Sequence, residues 1–136
     1  LTLLLDVGHN PHAAEYLAQL LAARPLRGKR LAVFGLLADK DLVGVLKPLQ
    51  AEIADWAVVD LPTERSRSAL QIKTELLSLG AQVESYSDVA TALQAQCARA
   101  TVEDEIVLFG SFYCVAQALE WLADSSVQEI DDGVAR

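Results

Sequence analysis

Five short apolar runs punctuate the chain, each followed by a stretch in which apolar residues return every three or four positions. Residues 3–7 begin Leu-Leu-Leu, and 31–34 (Leu-Ala-Val-Phe), 56–59 (Trp-Ala-Val-Val) and 106–109 (Ile-Val-Leu-Phe) are equally unbroken. A strand with one wet face alternates, so unbroken runs of this length predict strands covered on both faces, as in a parallel sheet. Segment 81–85 does alternate and has little apolar bulk, which predicts a weaker strand at a sheet edge.

The intervening stretches predict helices. Asn10 as N-cap and Pro11 at the first helical position open a helix that ends near Arg24, because a proline (Pro25) pushes the residue before it out of helical geometry. Its expected inward stripe is Ala13, Leu17, Leu20 and Leu21. Further helices are expected over about 41–52, 69–79, 88–100 and 111–123, and residues 124–136, low in hydrophobicity, as a mobile tail beyond a domain of 1–123. Five strand–helix units imply an α/β fold, a three-layer α/β/α domain whose mostly parallel sheet has five or six strands. In such a sheet the carboxyl ends of the strands converge, so 6–10, 35–41 and 110–111 can line one crevice.

Composition narrows the possibilities. At 136 residues and 52% hydrophobic content, one compact domain is expected, burying roughly two thirds of its unfolded surface. No apolar run approaches the ~20 residues of a membrane span and no signal segment opens the chain, so no membrane association is expected. A net charge of −8 argues against nucleic acid as a partner, since that grip needs clustered Lys and Arg. Any phosphate has to be held locally, against the overall field. Cys97 and Cys114 lack the spacing of a zinc site and read as reduced core residues of a cytosolic protein. The chain has no Met and begins at Leu1 directly on a strand, as a piece of a longer protein would.

The candidate chemistry is concentrated where the first strand meets the first helix: Asp6, Gly8, His9 and Asn10. Exposed helix-start N–H groups favour anions there. Asp6 either caps the adjacent turn or meets a ligand, and His9 is either a neutral structural residue or an imidazolium facing an anion. Asn10 reads first as the N-cap, with an amide that can serve a ligand as well, and His12 as a surface residue. Gly8 allows close backbone approach or a positive φ. Lys40, a cation at a helix start, opposes the macrodipole. Asp39 and Asp41 neutralise it, or it reaches into the crevice toward a carboxylate or phosphate. Ser111 caps the last helix, with Phe112 and Tyr113 packing beneath it. Arg65 and Arg67, in a polar loop over 62–68, read as solvated, and Trp56 and Trp121 as core or rim packing. Neither a Gly-x-x-x-x-Gly-Lys-Ser/Thr phosphate loop nor a Gly-x-Gly-x-x-Gly fingerprint occurs.

Asp-x-x-His-Asn-Pro-x-Ala (Asp6, His9, Asn10, Pro11, Ala13), the stretch from Gly35 to Asp39-Lys40-Asp41, and Gly110-Ser111-Phe112-Tyr113 together resemble the Rossmann-like C-terminal domain of the Mur ligase superfamily. Within it the chain is similar to the bifunctional dihydrofolate synthase/folylpolyglutamate synthases, in order and spacing over about 1–122. The resemblance implies that Asp6 contacts the ribose of ATP, that His9 with Asn10 lies toward its phosphates, and that Lys40 and Ser111 approach the substrate. It assigns no catalytic residue and no metal ligand to this chain. The phosphate loop, the magnesium ligands and most of the pterin pocket belong in that family to an N-terminal ATPase domain of the same polypeptide. The implied reaction has ATP phosphorylate a carboxylate of dihydropteroate or a folate tail. The amine of glutamate then attacks the acyl phosphate and phosphate leaves, and the domain alone is expected to be inactive. A peptidoglycan Mur ligase shares the His-Asn-Pro junction, although Gly-Ser-Phe favours the folate branch. A non-catalytic α/β binding module is the alternative from another class.

Overall fold

The structure, a computed structural model, describes residues 1–131, with side-chain environments through 124. Five parallel strands, β1 (Thr2–Leu5), β2 (Arg30–Phe34), β3 (Asp55–Val59), β4 (Val83–Tyr86) and β5 (Glu105–Phe109), form one sheet in the order β1-β5-β2-β3-β4. Burial follows position in the sheet. All residues of the inner strands β2 and β5 are buried, whereas β1 and β4 at the two edges are largely half-exposed. The alternating segment therefore stands where its composition places it, at an edge.

Helices α1 (Pro11–Ala23), α2 (Leu42–Leu46) and α3 (Ala69–Ser78) cover one face of the sheet, and α4 (Val89–Arg99) and α5 (Phe112–Asp131) the other. Beneath the first layer Phe34, Trp56 and Phe109 pack ring to ring, with centroids 4.8–5.9 Å apart, a geometry that adds to the burial of three large apolar groups. Trp56 is thus core, and Trp121 packs half-buried against the opposite layer.

Three expectations need correction. The inward stripe of α1 is Ala14, Leu17 and Leu21; Leu20 is 42% exposed and Ala13 only half-buried, because the helix faces the sheet about one position away from the expected phase. The second helix does not run over 41–52. It ends at Leu46 and tightens into a 3-10 turn over Lys47–Leu49, since Pro48 has no N–H to donate and its ring crowds the preceding turn. The last helix continues to Asp131, past the expected end at 123; residues 124–131 contain neither Gly nor Pro to stop it. Only 132–136 of the expected tail lie outside the described residues.

At the amino ends of the strands, Glu105 on β5 is buried with Arg30 on β2. Its carboxylate receives Arg30 Nε at 2.9 Å and Arg24 from the end of α1 at 2.7 Å, while Arg30 also reaches Glu52 at 3.4 Å. Burial pushes the Glu105 carboxyl up, but the hydrogen bonds and charges of the two arginines outweigh it and hold the group below its ordinary value. This ion cluster ties α1 to the bottom of the sheet, at the end opposite the crevice.

Candidate functional site

Adjacent strands β5 and β2 send their following helices to opposite faces of the sheet, α5 to one and α2 to the other. The chain parts there, and a crevice opens beyond the carboxyl ends of the strands. It holds a cavity of about 190 Å³ lined by His9, Leu37, Lys40, Arg65, Gly110, Ser111, Phe112 and Tyr113.

Each lining group is set by its own loop. After β1, the Asp6 N–H still donates to Leu108 O of β5 at 3.0 Å, and the chain then turns. The Asp6 carboxylate accepts the Gly8 N–H at 2.6 Å, and a side chain at Gly8 would strike Ala13 and this same carboxylate, so only glycine fits the turn. Asn10 accepts the Ala13 N–H at 2.8 Å and caps α1. Between them His9 is half-buried, with Nδ1 3.2 Å from Val7 O; when the ring carries both protons, Nδ1–H donates to that carbonyl and Nε2–H is left for an anionic ligand. After β5, Ser111 is buried, and its Oγ accepts the Cys114 N–H at 3.2 Å as the cap of α5. Cys114 behind it is buried, which pushes its thiol up to about 11 and keeps it un-ionised at neutral pH.

The loop after β2 carries Lys40, and the loop after β3 is laid against it. Leu37 pairs with Ser66 in an antiparallel bridge, the Ala38 N–H donates to Arg65 O at 2.8 Å, and the Arg67 N–H donates to Leu36 O at 2.9 Å. Asp41 caps α2 through Gly44 N–H, so of the two neighbouring carboxylates only Asp39 meets Lys40 Nζ, at a loose 3.8 Å.

The structure thus brings together three of the residues singled out from sequence, His9, Lys40 and Ser111, and leaves two, Asp6 and Asn10, beside the cavity in the turn that shapes it. It corrects two expectations and extends a third. Arg65 is exposed, as a solvated residue is, but it also lines the cavity, and Arg67 is half-buried with its guanidinium on backbone carbonyls rather than in solvent. Phe112 does not pack beneath Ser111; it stands 72% exposed at the rim, while Tyr113 packs against the second layer. No local signal marked Arg65, which reaches the site only because its loop is stitched to another.

The family model of the Mur ligase glutamate ligase domain matches residues 1–112. This chain belongs to the Mur ligase family. The match is to its glutamate ligase domain. The dihydrofolate synthase/folylpolyglutamate synthase of Escherichia coli (strain K12) is 42% identical over 117 residues, which cover 86% of this chain and 27% of that protein. The solved structure of E. coli FolC in complex with DHPP and ADP superposes with a TM-score of 0.81 at 40% identity, over 89% of this chain and 28% of that one. A bifunctional folylpolyglutamate synthase/dihydrofolate synthase with Mn, AMPPNP and L-glutamate bound gives the same TM-score of 0.81 and 40% identity, over 89% and 29% of the two chains. The ligase domain therefore spans little more than a quarter of the relatives it matches, and corresponds to their C-terminal part.

The donors present suit an anion. His9, Lys40 and Arg65 converge on one cavity in a chain whose net charge is −8, and among the described residues Lys40 is the one of the three that forms an ion pair with a carboxylate. They do not suit a metal. Among the described residues no group of three or more His, Cys, Asp or Glu could hold one. Among the described residues, too, no helix is long and apolar enough to cross a membrane.

Proposed function

We propose that this chain is the C-terminal domain, residues 1–123, of an ATP-dependent ligase that adds glutamate to dihydropteroate, to folate, or to both. The observation that carries the reading is the convergence of His9, Lys40 and Arg65 with Ser111 on one cavity at the strand ends. Every species in the reaction is anionic: the nucleotide, the carboxylate to be activated, the acyl phosphate, the incoming glutamate. A basic cavity on an acidic domain attracts such species where they react and nowhere else.

ATP supplies the phosphoryl group that turns the substrate carboxylate into an acyl phosphate. The roles of this domain are binding and positioning. Asp6 meets the ribose through the carboxylate oxygen not engaged by Gly8, and His9 lies toward the phosphates with Asn10 beside it. Lys40 and Ser111 approach the carboxylates of the amino acid or growing tail. The amine of glutamate attacks the acyl carbon, the C–O bond to phosphate breaks, and phosphate leaves. Holding the partners in line and neutralising charge accounts for most of catalysis in phosphoryl chemistry, and closure of this domain over the nucleotide keeps water from the acyl phosphate. With no fitting donor set here, magnesium belongs with the phosphate loop on the N-terminal ATPase portion of the polypeptide, the partner of this domain. The free thiols Cys97 and Cys114 accord with the cytoplasm.

The test compares the whole reading frame with this chain alone. The whole protein is expected to ligate glutamate to dihydropteroate or a folate while consuming ATP. The isolated domain should unfold in one cooperative transition and bind ATP with Kd no tighter than about 1 mM, equivalent to ~4 kcal/mol. ATP turnover by the isolated chain, or no ligation by the whole protein with any of these acceptors, overturns the reading.

A further inference from the structure

We propose that Arg67 is a positioning residue of the ligase reaction: its guanidinium holds the loop after β2 in the one shape that presents Lys40 to the cavity. The inference rests on the reading of that cavity as the site of the anionic substrate.

Arg67 lies outside the cavity lining and 27 positions from Lys40 in sequence, yet its Nη2 donates to Lys40 O at 2.6 Å and to Ala38 O at 2.9 Å. Its backbone N–H binds a third carbonyl of the same loop, Leu36 O. Ser66, the residue before it, is pinned in turn, its Oγ accepting Leu61 N–H at 2.8 Å and donating to Arg67 O at 2.8 Å. The two loops therefore move as one piece, and that piece carries both Lys40 and Arg65.

Electrostatics gives the arrangement its meaning. Lys40 and Arg65 carry like charge and line the same cavity, which gives their loops no electrostatic reason to stay together. Arg67 supplies the fastening but is itself a third cation, and among the described residues neither it nor Arg65 pairs with a carboxylate. Its Nε is buried with no acceptor. An anion in the cavity neutralises Lys40 and Arg65, the two cations that line it, so the clamp behind them holds the site in readiness for its ligand.

The test is a double-mutant cycle in the full-length enzyme, read as KM for glutamate and for ATP and as kcat. Lys40→Ala alone is expected to raise one of these KM values about ten-fold. Arg67→Ala is expected to raise the same KM to a similar extent, and in the Lys40→Ala background to add less than two-fold, because the residue it positions is already gone. Guanidinium chloride at millimolar concentration should restore part of the Arg67→Ala loss and none of the Lys40→Ala loss. Arg67→Lys, which keeps the charge but cannot span both carbonyls, should fall between wild type and alanine, and serves also if the alanine variant fails to fold. Full additivity of the two substitutions, or an Arg67 effect on melting temperature with all kinetic constants per folded molecule unchanged, overturns the positioning role. Unchanged kinetics in Lys40→Ala would overturn the cavity reading beneath it.

Discussion

Gly110 and Gly35 face each other across the ends of β5 and β2 so closely that a Cβ on Gly110 would run into the Gly35 carbonyl oxygen and the edge of the Phe34 ring. Gly110 also has φ +114°, in the region that L side chains rarely adopt. The contact closes the floor of the cavity and sets where Ser111 can stand. Gly110→Ala is expected to destabilise the domain by about 2 kcal/mol or more, combining backbone strain with overpacking. Urea titration measures it, and an unchanged midpoint would show that the floor can yield.

Acid should unfold the domain through three carboxylates held below their ordinary values. Asp88 is held by the backbone N–H and hydroxyl of Thr91, and Asp104 by the backbone N–H groups of Lys29 and Thr101. For Glu105, burial acts upward and the arginines prevail. A folded pKa below the unfolded one means stability that is fully present above the unfolded value, near 4, and is lost as pH falls through the folded value. Glu105→Gln, which leaves the buried Arg30 with only the longer contact to Glu52 at 3.4 Å, is expected to cost about 3 kcal/mol at pH 7. Its gap to the wild type should narrow as pH falls through the depressed folded value, where the native carboxyl takes up its proton too. Melting curves between pH 7 and 3 decide this, and a constant gap would remove the ion pair from the account.

Asp6 is expected to do two things that two substitutions separate. Asp6→Asn keeps an oxygen for the Gly8 N–H but removes the charge, whereas Asp6→Ala loses both. In the full-length parent both should weaken the use of ATP, by on the order of 1–3 kcal/mol for a hydrogen bond to a charged group, with folate affinity nearly unchanged. Only the alanine variant should also lower the melting temperature. An unaltered KM for ATP in either variant would confine Asp6 to the turn.

His9→Ala is expected to depress turnover more than it weakens ground-state binding of ATP, if the imidazole faces charge that builds on the phosphates during transfer. Single-turnover kinetics beside equilibrium binding reads the two separately. Normal turnover per folded molecule with a lowered melting temperature would make His9 a structural residue.

The strand–helix units, the edge position of β4, the caps at Asn10 and Ser111 and the turn at Asp6 were all legible in the sequence. Each depends on neighbours within a few positions: unbroken or alternating apolar runs, a proline after a capping amide, an oxygen three residues before the N–H it accepts. The same locality explains the misreadings. Pro48 ended α2 in plain sight, but the phase of α1 could not be read without the sheet it packs on, and the exposure of Phe112 depends on which helices cover that face. Arg65 and Arg67 were beyond reach for a stronger reason. A short polar loop with two arginines looks solvated until another loop, after a strand one place over in the sheet, lies against it and offers its carbonyls. Local periodicity determined what the elements are and where chemistry could gather at their ends. Only the tertiary structure decided which charges share the cavity and which one holds it in shape, because those contacts join segments that nothing in the chain's local order brings together.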